Sequence, residues 1–189
     1  MKRPTEILSD EHRIIEGVLD GLTAFAARAG NGAAADDGED RRLLGRYAEF
    51  FRTFADQCHH GKEEELLFRA MEAQGMPAAC SPTAVMRQEH EEGRLHVRAL
   101  TRLAEGDGPL TAAERARLRE TAGEYAGLLR AHIEKEDGIL FPMADRLLDG
   151  ETTGRLAAAF DHFECSHMGH GVHERLHELA LSLMEGARR

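Results

Sequence analysis

A five-residue block, His-x-x-x-Glu, occurs twice in this chain and constrains its fold more than any other feature. The first copy runs from His59 to Glu63 and the second from His132 to Glu136, and Leu-Phe follows each copy. On an α-helix the fourth residue returns to the same face, about 40° round and about 6 Å along the axis. Each block therefore points an imidazole and a carboxylate in the same direction. Two such blocks that face each other predict a metal site.

Clusters of glycine and proline divide the chain into four long segments and a tail. Apolar residues recur at steps of three and four in each long segment, and Thr111 and Glu114 form a capping-box pattern at the start of the last one. The predicted helices span about 9–29, 39–73, 82–105 and 111–142, with Pro142 bending or stopping the fourth helix. No stretch alternates as a half-buried strand does.

Four amphipathic helices with short polar loops pack most simply as an antiparallel up-down four-helix bundle, so the predicted fold class is all-α. The bundle is expected to occupy residues 1–149, and a C-terminal helical extension over residues 150–189 is expected to pack on it. Phe25, Phe51, Phe54 and Met86 fall on the helical stripes and are expected to be core residues, and Cys58 is expected to be structural.

The two halves of the bundle match each other. Glu11-His12 in the first half corresponds to Glu89-His90 in the second, and each pair precedes one His-x-x-x-Glu block, as in an internal duplication. The inward residues predicted from this match are His12, His59, Glu63, His90, His132 and Glu136. Imidazoles with bridging carboxylates suit a pair of borderline cations such as iron. Calcium and magnesium prefer mostly oxygen ligands, and zinc alone needs only four.

These motifs resemble the hemerythrin-like family, also called the HHE cation-binding domain, over about residues 5–148. The resemblance implies a four-helix bundle that holds a non-heme di-iron centre with an oxo or hydroxo bridge. It also implies the six residues above as ligands, one by one. The oxygen-carrying members space their last ligand pair as His-x-x-x-x-Asp, which Asp137 satisfies, so Asp137 competes with Glu136 for the bridging role. Glu136 is favoured because it matches Glu63.

The same oxygen carriers have a second histidine where this chain has Arg94. Its loss leaves two imidazoles for each metal and more positions for a small ligand. The chain is therefore expected to bind, and to reduce or sense, a small oxidant such as oxygen, peroxide or nitric oxide, with an unidentified electron donor or signalling partner. The alternative is a sensing or metal-storage module without turnover, so enzymatic activity stays open.

Four polar residues near the motifs, His60, Glu64, Glu65 and His96, lie off the inward direction. We expect them at the surface or around the ligands, and Glu64 is the one most expected to reach a metal.

The C-terminal extension contains His173-Glu174-x-x-His177, the zinc-peptidase spacing. A third ligand and substrate-binding strands are missing, so a zinc metallopeptidase is only a further alternative. A packing role is favoured. A second hypothesis is that a tail histidine fills the position lost at Arg94, and the candidates are His167, His170 and His173.

Composition excludes several partners. The formal net charge of −10, without a basic run, argues against nucleic acid. Apolar runs fall short of the ~20 residues of a membrane span, and no secretory signal is evident, so a cytoplasmic protein is expected. The three cysteines lack Cys-x-x-Cys spacing, which argues against a disulfide framework.

Overall fold

The computed structural model describes residues 2–30, 38–164, 166 and 171–186, and these residues contain helices and no β-strand. The first long helix is α1 (Pro4–Gly30). The second, residues 39–73, joins α2 (Glu39–Phe50), the π-helical segments Phe51–His60 and Glu63–Leu67, and α3 (Phe68–Ala73). The third is α4 (Pro82–Ala104). The fourth, residues 112–147, joins α5 (Ala112–Lys135), the π-helical segment Glu136–Leu140 and α6 (Phe141–Leu147). The extension contains α7 (Gly150–Phe163) and α8 (Val172–Gly186).

The helix ends follow local chemistry. The predicted capping box is confirmed: Thr111 Oγ accepts from the Glu114 backbone N–H, and the Glu114 carboxylate accepts from the Thr111 backbone N–H. Ser81 caps α4 in a similar way, with Pro82 at the first turn. The fourth helix was predicted to bend or stop at Pro142. It does not stop there, because it continues to Leu147. The π-helical turn just before Pro142 already changes the hydrogen-bond register where the proline N–H is missing.

Two apolar clusters form the interior, and the polar motifs lie between them. The larger cluster includes Leu19, Phe54 and Ile133, and the smaller one includes Leu8 and Met86. Each long helix contributes to both clusters, and its His or Glu motif falls between the two contributions. The predicted core positions, Phe25, Phe51, Phe54 and Met86, are all buried, as is Cys58. A ligand bound by the motifs would therefore have apolar side chains on both sides of it along the helix axes.

The extension packs closely because glycines leave room for it. A Cβ added at Gly21 in α1 would lie 3.1 Å from the Leu183 carbonyl oxygen of α8. A Cβ added at Gly61 would lie 2.8 Å from the ring of Phe163 at the end of α7. Both helices of the extension thus contact the motif-bearing part of the chain. Among the described residues, no helix combines the length and the apolar character needed to cross a bilayer.

Candidate metal centre

All six predicted ligand residues are buried, and the four long helices bring their side chains together. His12, Glu63 and Glu136 are 0% exposed, and His59, His90 and His132 are at most 2% exposed. Their ligand atoms fall into two groups, in each of which all atoms lie within 4.8 Å of one another. The three-histidine group consists of His60, Glu63, His90 and His132. The two-histidine group consists of His12, His59, Glu63 and Glu136. Glu63 is common to both groups.

The inward nitrogens of the histidines surround the two carboxylates. Glu136 lies 3.2 Å from His12 Nε2 and 3.1 Å from His132 Nε2. Glu63 lies 3.6 Å from His59 Nε2 and 3.5 Å from His90 Nε2. Lone pairs from both carboxylates and from the imidazoles can therefore converge on the same small volume.

Apart from these imidazole contacts, the oxygens of the two carboxylates lack hydrogen bonds. Both Oε atoms of Glu63 and both Oε atoms of Glu136, together with His12 Nε2, are buried without a hydrogen bond to any described residue. Burying polar atoms without hydrogen bonds is costly, and proteins normally avoid it unless the group binds a ligand such as a cation. The donor set of imidazole nitrogen and carboxylate oxygen fits a borderline divalent metal. The residues present therefore fit a metal centre.

Each inward histidine has a carboxylate behind it. Nδ1 lies 2.9 Å from Asp137 in His12, 2.8 Å from Glu11 in His59, 2.7 Å from Glu64 in His90 and 2.9 Å from Glu89 in His132. In a neutral ring whose Nδ1–H donates outward, the Nε2 lone pair is left for a metal. Metal-binding histidines commonly have such carboxylate partners, which fix the tautomer and the ring orientation.

Comparison with protein families agrees with this arrangement. Residues 3–144 match the hemerythrin HHE cation-binding domain. The chain belongs to this family. A search of curated proteins gave no significant match. Membership in a cation-binding family and the two groups of His and Glu ligands together identify a metal-binding chain.

His60 of this hemerythrin-family chain corrects one expectation from the sequence. It was expected at the surface or outside the ligands, but it is 5% exposed and belongs to the three-histidine group. Its ring stacks on that of His90 at 3.9 Å. The reason is the π-helical segment that ends at His60, because i to i+5 hydrogen bonding reduces the angle between successive side chains below the ~100° of an α-helix. Consecutive histidines can then both face inward.

The other neighbours of the motifs lie outside the two ligand groups. Glu65 is exposed, and His96 is partly exposed, 3.8 Å from Glu124. Glu64 accepts from His90 and also from Arg94, at 2.8 Å. Asp137, the competitor of Glu136, accepts from His12 and Ser9 and pairs with Arg13. Glu136 is therefore the carboxylate that faces the other ligands.

Arg94 occupies the position at which the sequence lacks a second histidine, and hydrogen bonds to carboxylates hold its side chain in place. Arg94 donates to Asp56 at 2.8 Å and to Glu91 at 2.6 Å, in addition to Glu64. His60 brings a third imidazole to that side of the site, where two were expected. The tail histidines His167 and His170 and the side chains of His173 and Glu174 lie outside the described residues. His177, in the zinc-peptidase pattern, is exposed on α8.

Sequence reasoning assigned no role to the residues that support the ligands. Glu11 and Glu89 each accept from the histidine of the block in their own half and also pair with the lysine of that block, Lys62 and Lys135 respectively. The trailing phenylalanines cross between halves: Phe68 stacks near His90 and Phe141 on His12. The signal was present, since Glu-His, His-x-x-Lys-Glu and Leu-Phe are each repeated in the sequence.

Burial and close charges shift the pKa values of the site. Burial raises the pKa of Glu63 well above its usual range, and the nearby Glu136 adds to the shift. Burial alone would also raise the pKa of Glu136, but His132 and His12 lower it to about 2. Burial lowers the pKa of His59 and His90 well below the usual value, so both imidazoles are neutral at pH 7. Burial would also lower the pKa of His132, but Glu136 and Glu89 raise it to about 9, so this ring must lose a proton to bind a metal as neutral imidazole.

Proposed function

We propose that this chain holds two iron ions in a non-heme, oxo- or hydroxo-bridged centre. The proposed ligands are His12, His59, Glu63, His90, His132 and Glu136, with His60 as a seventh. The observation that supports this most strongly is the set of unpartnered, buried oxygens of Glu63 and Glu136 among five imidazoles. The proposed arrangement is an up-down four-helix bundle over residues 1–149, with residues 150–189 as an extension packed on it.

The two ligand groups differ in composition, and each would leave coordination positions for a small ligand. The three-histidine group offers three imidazoles, whereas the two-histidine group offers two. Each group nevertheless contains four ligand residues, so a metal in either group would keep positions for an added molecule. We infer that oxygen, peroxide or nitric oxide binds at such an open position. Bound iron would supply the electrons that reduce such an oxidant.

Side chains around the proposed centre orient the imidazoles and exclude water. The carboxylates behind the histidines hold the imidazoles in one tautomer. Phe141 stacks on His12 with ring centroids 5.4 Å apart, and apolar clusters lie on both sides of the motifs. Such a dry surrounding limits solvent access and influences the redox potential of a bound metal.

A surface cleft gives a route toward this centre. The cleft has a volume of about 430 Å³ and is lined by Asp56, Gly61, Glu64, Arg94 and Phe163, among others. Glu64 contacts His90, and Asp56 lies 3.5 Å from His60 Nδ1. The side chains that separate this cleft from the ligand histidines are therefore few. Diatomic oxidants and peroxide are small enough to pass such a boundary when it fluctuates.

The free thiols suit a reducing compartment. Cys58 is buried, Cys80 is exposed, and neither of these described cysteines forms a disulfide. Unpaired cysteines are typical of proteins in reducing compartments, where electron donors are also present. A cytoplasmic location is part of the proposal for this reason.

The test is elemental analysis followed by kinetics. Protein reconstituted with ferrous iron should contain about two irons per chain, as the two ligand groups require, and should develop an oxo-to-iron charge-transfer band on oxidation. Stopped-flow mixing of the di-ferrous protein with peroxide, oxygen or nitric oxide should then change that spectrum. Repeated turnover with a chemical reductant would support reduction. A single stoichiometric reaction would support the sensing or storage alternative, and an inert di-ferrous protein would contradict the redox proposal.

A further inference from the structure

A second cleft lies between the second long helix and α4, and arginines dominate its lining. Its volume is about 400 Å³, and Arg52, Arg94, Arg98 and Arg102 line it together with Asp56 and Glu105. Arg94, Arg98 and Arg102 follow one another at four-residue steps on α4, so they lie along one helix face at intervals of about 6 Å. We call this feature the arginine cleft.

The charge of the arginine cleft is unlike that of the rest of the chain. The protein has a formal net charge of −10, yet four guanidinium groups face two carboxylates here. Arg52, Arg98 and Arg102 have no hydrogen-bond or ion-pair partner among the described residues. Many other arginines are paired, for example Arg41 with Glu114 and Arg87 with Glu72. Asp56 is already engaged by Arg94.

We propose that the arginine cleft binds a small molecule that carries two carboxylate or phosphate groups. A guanidinium fork matches either group with two parallel hydrogen bonds, and unpaired guanidinium groups gain most from such a partner. The cleft volume lies within the range of small-molecule sites, and its concave form favours a compact ligand over a protein surface. Successive arginines along one face suit two separate anionic groups better than one.

The arginine cleft is connected to the candidate metal centre through Arg94. This residue donates to Asp56 and to Glu64, both at 2.8 Å, and these carboxylates lie behind His60 and His90. An anion that competes for Arg94 would weaken one of these contacts and change the orientation of an imidazole. This connection rests on the proposed metal site, whereas anion binding does not.

Isothermal titration calorimetry tests the proposal on the iron-loaded protein. Succinate and 1,3-propanediol bisphosphate, titrated separately, test the carboxylate and phosphate forms. At least one should bind with a dissociation constant below about 1 mM. The variant Arg98→Gln/Arg102→Gln should weaken that binding by about tenfold or more, since it removes charge-assisted hydrogen bonds. The control Arg28→Gln/Arg69→Gln removes the same charge from exposed positions outside the cleft and should change binding by less than about twofold.

Two results would overturn the site: no binding of either probe at about 10 mM, or equal weakening in the two double variants, which would show only a general charge effect. Titration of metal-free protein separates this proposal from the proposed function, because the anion should still bind there. In the iron-loaded protein, a saturating probe should shift the visible spectrum, and Arg98→Gln/Arg102→Gln should raise the probe concentration needed for that shift by about tenfold or more. An unchanged spectrum with the probe bound would overturn the connection through Arg94.

Discussion

The two halves of residues 4–147 use one scheme of side-chain contacts, but the described part of the C-terminal extension packs mainly on the first half. The first half comprises α1 and the second long helix, and the second half comprises α4 and the fourth long helix. In each half a glutamate before a histidine binds both the histidine and the lysine of the block: Glu11 binds His59 and Lys62, and Glu89 binds His132 and Lys135.

The lysines differ most between the halves. The Lys62 side chain is 0% exposed, whereas that of Lys135 is 38% exposed. Lys62 also pairs with Glu164, at 2.7 Å, and lies 5.6 Å from the ring centroid of Phe160 in α7. The extension therefore turns one of two equivalent ion pairs into a buried one. Two copies of one motif can therefore contribute differently to stability, because different residues pack over them.

The second difference lies within the site. His60 in the first half corresponds to Ile133 in the second, and only His60 joins a ligand group. The duplicated scheme alone would place two imidazoles in each group. His60 adds a third imidazole to one of them, so the groups differ in imidazole content although each offers four ligand residues.

Glu63→Gln should have the largest effect on this comparison. Glu63 belongs to both ligand groups, whereas its counterpart Glu136 belongs to one. The amide keeps the shape but removes the charge that offsets a divalent cation, so Glu63→Gln should lose both irons. Glu136→Gln, the matched variant, should retain about one iron per chain. Elemental analysis measures the difference, with circular dichroism to verify the fold. Equal iron contents in the two variants would contradict the shared role of Glu63.

Lys62→Met and Lys135→Met compare the two lysines directly. Removing Lys62 leaves Glu11 and Glu164 without their buried cation, so the free energy of unfolding should fall by about 3–5 kcal/mol. Lys135 is partly exposed, so its removal should cost less than about 1 kcal/mol. Urea unfolding of the iron-loaded variants measures both values. Similar losses would show that the extension does not alter the energetics of the pair.

The sequence predicted the long helices, and it singled out six buried residues that the structure brings together, because both follow α-helical periodicity. The repeated His-x-x-x-Glu blocks gave the inward direction, and their duplication gave His12 and His90. His60 was missed because π-helical hydrogen bonding depends on how the helix is packed, and local propensity does not encode it. The burial of Lys62 was missed for a related reason: α7 and Glu164 reach it only through tertiary packing.

His60→Ile gives the first half the residue of the second half. The three-histidine group would then offer two imidazoles, so iron affinity at that position should fall about ten- to a hundredfold, as for other changes around metal ligands. Competition with a chelator measures the affinity of each iron. His96→Gln serves as the control, because His96 lies outside both ligand groups. Unchanged affinity in His60→Ile would exclude His60 as a ligand.

Gly61→Ala tests the contact between the extension and the first half, with the smallest expected effect. The new Cβ would lie 2.8 Å from the Phe163 ring, so α7 must shift, at a cost of about 1–3 kcal/mol. Gly127→Ala in the second half meets no atom within 4 Å and should instead stabilise its helix by about 0.5–1 kcal/mol. Because α7 also holds Glu164 against Lys62, Gly61→Ala should reduce the effect of Lys62→Met in the double variant. Additive losses would show that α7 covers Lys62 independently of Gly61.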